Sequence, residues 1–349
     1  MKAMVGMSGG VDSAVAAYLV NKEYETQGVT LRLWCGDAKK QQREEADARA
    51  VCEKIGIEHS VLDLQNTFTK KVIDSFIENY ENGLTPNPCI ECNRHIKFGE
   101  MLEFTKSKGC EKIATGHYAR VEKCGERYLL KKAADEGKDQ SYVLYSLSQK
   151  ALSSLLLPLG EYTKNDIREI ASEMGFEVAR KSDSQDICFV PDGDYAEFIR
   201  KHTGVDFPTG DYVDINGNIL GQHKGVIHYT VGQRKGLGIA LGKPQFVISK
   251  CAETGRVVLG DEENLFYRRV EIDNVNLIAE DRVDGLRAEG KLRYRHAQQP
   301  CTIHQLDNNR LLLEFDKPQR APAPGQAAVI YDGDIVIGGG TIVGGISDE

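Results

Sequence analysis

The sequence predicts an α/β domain built on a doubly wound parallel sheet, followed by two small β-rich domains, the last of them a β-barrel. Three observations carry this. Val5-Gly6-Met7-Ser8-Gly9-Gly10-Val11-Asp12-Ser13 runs from an apolar strand start through a glycine turn into a helical pattern. Up to about residue 120, strand and helix patterns alternate, which implies parallel strands joined by crossover helices. From about residue 205 helical periods vanish, glycines multiply and short alternating segments dominate. The expected domains are residues 1–204, 205–266 and 267–349.

The first strand covers 3–7, and the helix after it shows Val11, Val15 and Leu19 on one face with Ala14, Ala17 and Tyr18 beside it. A second strand is expected over 28–34 and a helix over 39–56 that closes on a glycine. A third strand covers 59–64. A helix over 66–82 spaces Phe68, Val72, Phe76 and Tyr80 at helical intervals. A fourth strand over 113–115 enters Gly116-His117-Tyr118. Ligands on such sheets sit at the carboxyl ends of the strands, where 8–13, 31–33 and 116–117 all fall. A hairpin-like stretch follows from 127, then Thr163-Lys164-Asn165-Asp166 reads as a capping box opening a helix to Met174. The β half is expected to hold strands over 225–229, 245–249, 257–259, 270–277, 290–294, 302–306, 310–315, 326–331 and 335–343, with a proline-rich turn over 318–325.

The 349 residues are 41% hydrophobic and 28% charged, as in soluble globular proteins. No apolar run approaches the roughly 20 residues of a membrane span, and no signal-peptide pattern opens the chain, so the cytoplasm is expected; a monomer is the expected state, which the sequence leaves open. The net charge of −8 argues mildly against nucleic acid, but it hides two acid-free basic stretches. Residues 222–250 carry Lys224, Arg234, Lys235, Lys243 and Lys250, and residues 291–305 carry Lys291, Arg293 and Arg295. The nine cysteines are irregularly spaced, which in a cytosolic chain favours chemistry or metal over a disulfide framework.

Two constellations carry chemistry. Strand, glycine turn and helix present backbone N–H groups to an anion. Gly9 and Gly10 admit close approach, and Ser8 and Ser13 add hydroxyls. Asp12 would repel a phosphate unless a divalent cation lies between them. The loop lacks the lysine of the ATPase P-loop and the spacing of a dinucleotide fingerprint; the bland alternative is an ordinary glycine-rich turn. The second constellation is the loop Thr85-Pro86-Asn87-Pro88-Cys89-Ile90-Glu91-Cys92-Asn93-Arg94. Asn93 is expected to cap a following helix, placing Cys92 at its N-terminus near Arg94 and Lys97 and lowering its pKa. The competing reading, half of a structural zinc site, lacks a second C-x-x-C. Taken alone, Cys188 reads as core filler.

Ser8-Gly9-Gly10-Val11-Asp12-Ser13 resembles the pyrophosphate loop of the ATP-pyrophosphatase (PP-loop) enzymes, which implies an adenine nucleotide α-hydrolase-like domain. Over essentially its whole length the chain resembles the tRNA-specific 2-thiouridylases (MnmA/TrmU family). The resemblance rests on Gly6–Ser13, Thr85-Pro86-Asn87-Pro88, Cys92-Asn93 with Ile96-Lys97-Phe98, Ala114-Thr115-Gly116-His117-Tyr118-Ala119, Lys138-Asp139-Gln140-Ser141-Tyr142, the run 182–189, and the run 229–238. It implies ATP-dependent adenylation of the C2 oxygen of the wobble uridine (position 34) and sulfur transfer from a cysteine persulfide.

Carried over by motif, ATP with Mg²⁺ falls to Gly6, Met7, Ser8, Gly9, Gly10, Val11, Asp12, Ser13, Leu31 and Gly116. The target base falls to Asn87, Pro88 and Cys89, and other tRNA contacts to His117, Lys138, Asp139, Gln140, Arg293, Tyr294 and Gln326. Cys188 matches the persulfide cysteine and Cys92 its partner nucleophile. The implied partners are the anticodon arm of tRNA, bound in a salt-sensitive way, and a persulfide sulfur-donor protein. Many family members carry Asp where this chain has Cys89. That departure opens a second route, a [4Fe–4S] cluster on Cys89, Cys92 and Cys188. The rival functions are a small-molecule PP-loop ligase and a non-catalytic tRNA-binding or iron–sulfur carrier protein.

Overall fold

The computed structural model describes residues 1–34, 36–180, 187–190 and 193–347, with the side chains of 179 and 180 excluded. The 182–186 part of the motif that ends in Cys188 and Phe189 lies outside the described residues. Five parallel strands form the N-terminal sheet: β1 (Lys2–Gly6), β2 (Glu25–Arg32), β3 (Glu58–Asp63), β4 (Lys112–Ala114) and, after the hairpin β5 (Arg120–Cys124) and β6 (Arg127–Lys131), β7 (Leu155–Leu156). Their order is β3-β2-β1-β4-β7. The order reverses direction between β1 and β4, so a crevice opens there at the strand ends. The two-residue β7 is too short for a periodicity to reveal.

Helix α1 (Val11–Asn21) buries Val11, Ala14, Val15, Ala16 and Ala17 against Ile167 and Ala171 of the Lys164–Glu173 helix. Helix α2 (Ala38–Ile55) starts on Asp37, whose carboxylate accepts from Lys40 N at 3.0 Å, and ends at Gly56 with φ +73°, as the closing glycine predicts.

The helix after the cysteine loop starts earlier than expected. Asn87 is its N-cap, its side chain accepting from Cys89 N at 3.1 Å, and Pro88 fills the first helical position. Proline there gives up an N–H that has no partner anyway. The helix then runs without a break over 88–107, in wide turns over Cys92–Glu100. Asn93 therefore lies inside it and donates to Val143 O at 3.0 Å.

The central domain pairs β8 (Gly210–Val213), β9 (Ile219–His223), β10 (Phe246–Cys251) and β11 (Arg256–Gly260) in the order β10-β11-β8-β9. The strand expected over 225–229 is instead a helical turn, Val226–His228. Gly225, at φ +119°, turns the chain out of the extended conformation there.

In the last domain β12 (Phe266–Leu277), β13 (Arg287–Lys291), β14 (Gln299–Gln305), β15 (Leu311–Arg320), β16 (Ala327–Asp332) and β17 (Ile335–Ile346) form a closed barrel, sealed by β12 pairing with β17. Closure leaves no unpaired edge among these six strands. β15 runs into the expected turn because a register shift between Tyr267 and Arg269 leaves Pro318 outside the ladder. The β5–β6 hairpin of the first domain extends the barrel sheet where Lys131 meets Ile335. One apolar core spans the two domains, joining Tyr142, Leu144 and Tyr145 to Ala327, Val329, Tyr331 and Val336. Tyr142 Oη donates to Ala327 O at 2.7 Å, and Asn276 Nδ2 donates to Tyr145 O at 2.7 Å. The barrel is thus set rigidly against the end of the parallel sheet.

Candidate active site

The glycine loop is closed on itself. Ser8 N–H and Ser8 Oγ both donate to Ser13 Oγ at 3.1 Å, and Ser13 Oγ donates to Gly10 O at 3.0 Å. Gly10 is the N-cap of α1 and brings no side-chain cap, so the first-turn N–H groups suit an anion. Gly6 ends β1, while Met7 and Val11 point into the core and contribute backbone only. Gly116 follows β4, and a Cβ on it would come within 2.9 Å of the Asp12 backbone. The β4 loop therefore backs directly on the start of α1. Leu31 lies half-buried at the end of β2.

Asp12 is gripped from two directions. Tyr118 Oη donates to its Oδ1 at 2.8 Å, and Lys164 Nζ donates to Oδ1 at 2.7 Å and Oδ2 at 2.9 Å. Tyr118 is held in turn by Gln140: Tyr118 N donates to Gln140 Oε1 at 2.9 Å and Gln140 N to Tyr118 O at 2.8 Å. Backbone donors, two hydroxyls and a carboxylate form a donor set that fits a nucleotide phosphate with its Mg²⁺.

The thiols of Cys89, Cys92 and Cys188 lie close enough to shift one another's pKa, although β4 and β7 of the parallel sheet lie between Cys92 and Cys188 in the chain. Cys92 is packed with Phe68, Ile96 and Phe189. Burial pushes its thiol up to about 12; the Lys97 ammonium works against this, while Cys188 and Cys89 add to it. This corrects the expectation of a lowered pKa. The helix starts at Pro88, so Cys92 sits beyond its first turn in an apolar pocket, where the charged form is disfavoured. Crowding by protein also raises Cys89 and Cys188, and Lys97 opposes the rise in both, although each residue reaches solvent.

Among the described residues Lys97 is a cation that acts on all three thiols, and it donates to His117 Nε2 at 3.2 Å. His117 is buried, and burial first and Lys97 second hold its pKa well below 6.5. It is neutral, and the network assigns its proton to Nδ1, which donates to Thr115 Oγ1 at 2.7 Å. In the resting protein, alkylation of Cys92 by a small thiol reagent, located by mass spectrometry, should accelerate about tenfold per pH unit from about pH 7 to pH 10. A rate already flat near neutrality would show a thiolate and contradict this environment.

Among the described residues no three His, Cys, Asp or Glu side chains group so as to hold a metal ion. The three thiols do not form the ligand set of the cluster alternative, which finds no support in this arrangement. No helix of the described residues is long and apolar enough to cross a membrane.

The residues assigned to tRNA by motif divide into two kinds. Tyr294, 39% exposed, donates from Oη to Asp139 O at 3.0 Å. Burial raises its phenol, and the charges of Asp139 and Cys89 add to that, which places this barrel residue beside the cysteine loop. Asn87 and Lys138 are half-buried at the same loops, and Pro88 is buried.

The others hold the protein together. Asp139 is buried and accepts from Ala133 N at 3.0 Å, Ser141 N at 3.2 Å and Ser141 Oγ at 2.8 Å. Gln326 Nε2 donates to Thr85 O at 2.7 Å, clamping the cysteine loop to the barrel. Arg293 donates from one nitrogen to Val231 O at 2.9 Å and Ala321 O at 3.0 Å, tying the central domain to the barrel. Arg293→Ala should cost about 3 kcal/mol of stability, the worth of two charged hydrogen bonds. It should also leave the salt slope of RNA binding unchanged, whereas loss of a direct phosphate contact would reduce the slope by about one.

The contacts that Lys164 and Tyr118 make with Asp12 leave no signal in the sequence. Thr163 and Asp166 do form the capping box, but the partner of Lys164 lies 152 residues away, beyond any local pattern.

Family models match the three parts of the chain: a "tRNA methyl transferase HUP domain" over residues 1–192, a "tRNA methyl transferase PRC-barrel domain" over 196–261 and an "Aminomethyltransferase beta-barrel domain" over 268–342. Proteins named tRNA-specific 2-thiouridylase MnmA are similar along the full length. That of Clostridioides difficile (strain 630) is 49% identical, with 98% of each chain covered. That of Lachnoclostridium phytofermentans is 47% identical, covering 98% of this chain and 99% of its own. That of Acetivibrio thermocellus is 46% identical with the same coverage. With a glycine loop at the switch point of its sheet, cysteines gathered beside it and this match from end to end, the chain belongs to the tRNA-specific 2-thiouridylase MnmA family of enzymes.

Proposed function

We propose that this enzyme converts the wobble uridine of tRNA to 2-thiouridine, using ATP and a persulfide sulfur. The observation that supports it most is the gathering of Cys92 and Cys188 around Lys97 and His117, one short loop away from the nucleotide site. Gly6–Ser13 and Gly116 would bind ATP, and Asp12, Ser8 and Ser13 would hold Mg²⁺, which would neutralise phosphate charge there. The uridine C2 oxygen attacks the α-phosphorus and pyrophosphate leaves. Cys188 carries the persulfide received from a donor protein. The Cys92 thiolate attacks Cys188 Sγ, forming a Cys92–Cys188 disulfide and expelling hydrosulfide. Hydrosulfide adds at C2 and AMP departs. A dithiol reductant then restores both thiols.

Lys97 stabilises whichever sulfur is anionic, which offsets the raised thiol pKa values. The base reaches the crevice splayed out of its loop, beside Asn87, Cys89 and Tyr294, while Lys235 and its basic neighbours meet phosphates. The test is incubation with unmodified tRNA, ATP, Mg²⁺ and a persulfide donor, followed by nucleoside mass spectrometry. 2-Thiouridine at position 34 is expected. ATP consumption without it would favour a small-molecule ligase, and a methylated nucleoside would favour the chemistry named in the matched domain models.

A further inference from the structure

We propose that His117 is a positioning residue for the sulfur chemistry: a neutral acceptor that aims the Lys97 ammonium at the three thiols without cancelling its charge. This rests on the sulfur-transfer reading above. Lys97 lies in the wide turns over Cys92–Glu100. In an ordinary α-helix, at about 100° per residue, residue 97 would stand about 140° around the axis from residue 92. Where the backbone bonds span five residues, positions five apart fall nearly one above the other. The wide turns therefore bring the lysine onto the Cys92 face of the helix.

What holds it there is a ring nitrogen and not a carboxylate: Lys97 Nζ donates to His117 Nε2 at 3.2 Å. An ammonium has donors only, so Nε2 presents its lone pair and the ring proton sits on Nδ1, where Thr115 Oγ1 accepts it at 2.7 Å. The ring is 8% exposed and lies against Phe98, with 5.9 Å between centroids. A carboxylate in this place would hold Lys97 equally well but would offset the field that the ammonium exerts on a thiolate. A buried, neutral imidazole holds it and leaves the charge whole. Glu91, between Cys89 and Cys92 in the chain, is engaged elsewhere, by Arg94 at 3.5 Å and His95 at 3.2 Å. Lys97 accordingly opposes the rise of all three thiols, and Lys40 assists it at Cys188. With both ring nitrogens engaged inside the protein, His117 keeps no polar side-chain atom for RNA.

The test is the rate at which iodoacetamide alkylates Cys92 and Cys188 in the full chain at about pH 8, located by mass spectrometry. Lys97→Met should slow both about tenfold, the loss of a positive charge close to each thiolate. His117→Leu should slow them about fivefold, because the ammonium is no longer aimed. His117→Gln, whose amide oxygen accepts from Lys97 without adding charge, should keep the wild-type rate. The double variant Lys97→Met/His117→Leu should be no slower than Lys97→Met alone, since His117 acts through the lysine. The tRNA affinity of His117→Leu should stay within about twofold of wild type.

Wild-type alkylation in His117→Leu overturns the proposal, as does a loss of the same size in the Lys97→Met background, which marks a merely structural role. Weaker tRNA binding with unchanged alkylation also overturns it and gives His117 to the RNA. If His117→Leu does not fold, nitrogen NMR of the wild type decides. A proton on Nδ1 and none on Nε2 is expected from about pH 6 to about pH 9, and an imidazolium or the opposite tautomer at neutral pH overturns the proposal. A wild type that makes no 2-thiouridine while the alkylation pattern holds overturns the sulfur-transfer reading and leaves the positioning of Lys97 standing.

Discussion

Cys92→Ser and Cys188→Ser should each lower sulfur incorporation into tRNA by at least about a thousandfold, while Cys89→Ser stays within about tenfold of wild type. In the proposed route these two sulfurs exchange: one would carry the transferable sulfur and the other would expel it. A serine alkoxide attacks sulfur poorly and carries none. If Cys92 and Cys188 act in sequence on one bond, the double variant should be no worse than either single one. Cys89 lies at the helix start and reaches solvent, and no three-ligand set includes it among the described residues. The two-cysteine route gives its sulfur no bond to make or break. The assay is the nucleoside analysis described above, with adenylation followed separately as tRNA-dependent ATP–pyrophosphate exchange. Exchange should survive in all three variants. A Cys89→Ser protein as inactive as the other two would return the three-cysteine arrangement to the front.

Gly9→Val should lower ATP affinity by more than about a hundredfold and cost about 3 kcal/mol of stability. Gly9 sits at φ +69°, a left-handed conformation that a β-branched residue resists. A Cβ there would also lie 2.5 Å from the backbone carbonyl oxygen of Glu44 in α2. Backbone on both sides leaves no flexible neighbour to yield, so the loop itself must move and its N–H groups lose their aim. The control is the next glycine. Gly10 has φ −107°, and a Cβ on it meets nothing nearer than Ser8 Oγ at 3.4 Å. Gly10→Ala should therefore keep the fold, with a modest loss of binding. Calorimetry and thermal unfolding of the two variants decide the matter. Equal behaviour would show that the conformation at Gly9 is not what shapes the site.

The class of fold and the glycine loop are legible in the chain because they depend on local rules. Alternating apolar periods specify strand and helix, Gly9 is needed where a left-handed turn must approach an anion, and Gly56 ends α2. Motifs of contiguous residues such as Gly6–Ser13 survive being read without a third dimension. What depends on distant chain segments is set by packing and cannot be read along the chain. The Cys92 thiol is raised, not lowered, because the walls that bury it come from 65–81 and from Phe189, and burial outweighs a nearby ammonium.

The helix cap moved to Asn87 because the Asn-Pro pair starts a helix better than an asparagine already inside one. Arg293, Asp139 and Gln326 carry the polar atoms of a contact surface, yet the domain packing spends them on internal backbone partners. Lys164 reads locally as part of a cap, yet its side chain pairs with Asp12, at the other end of the domain in sequence. Charge and hydrogen-bonding capacity are written in the side chain, but the partner that uses them is chosen by the fold.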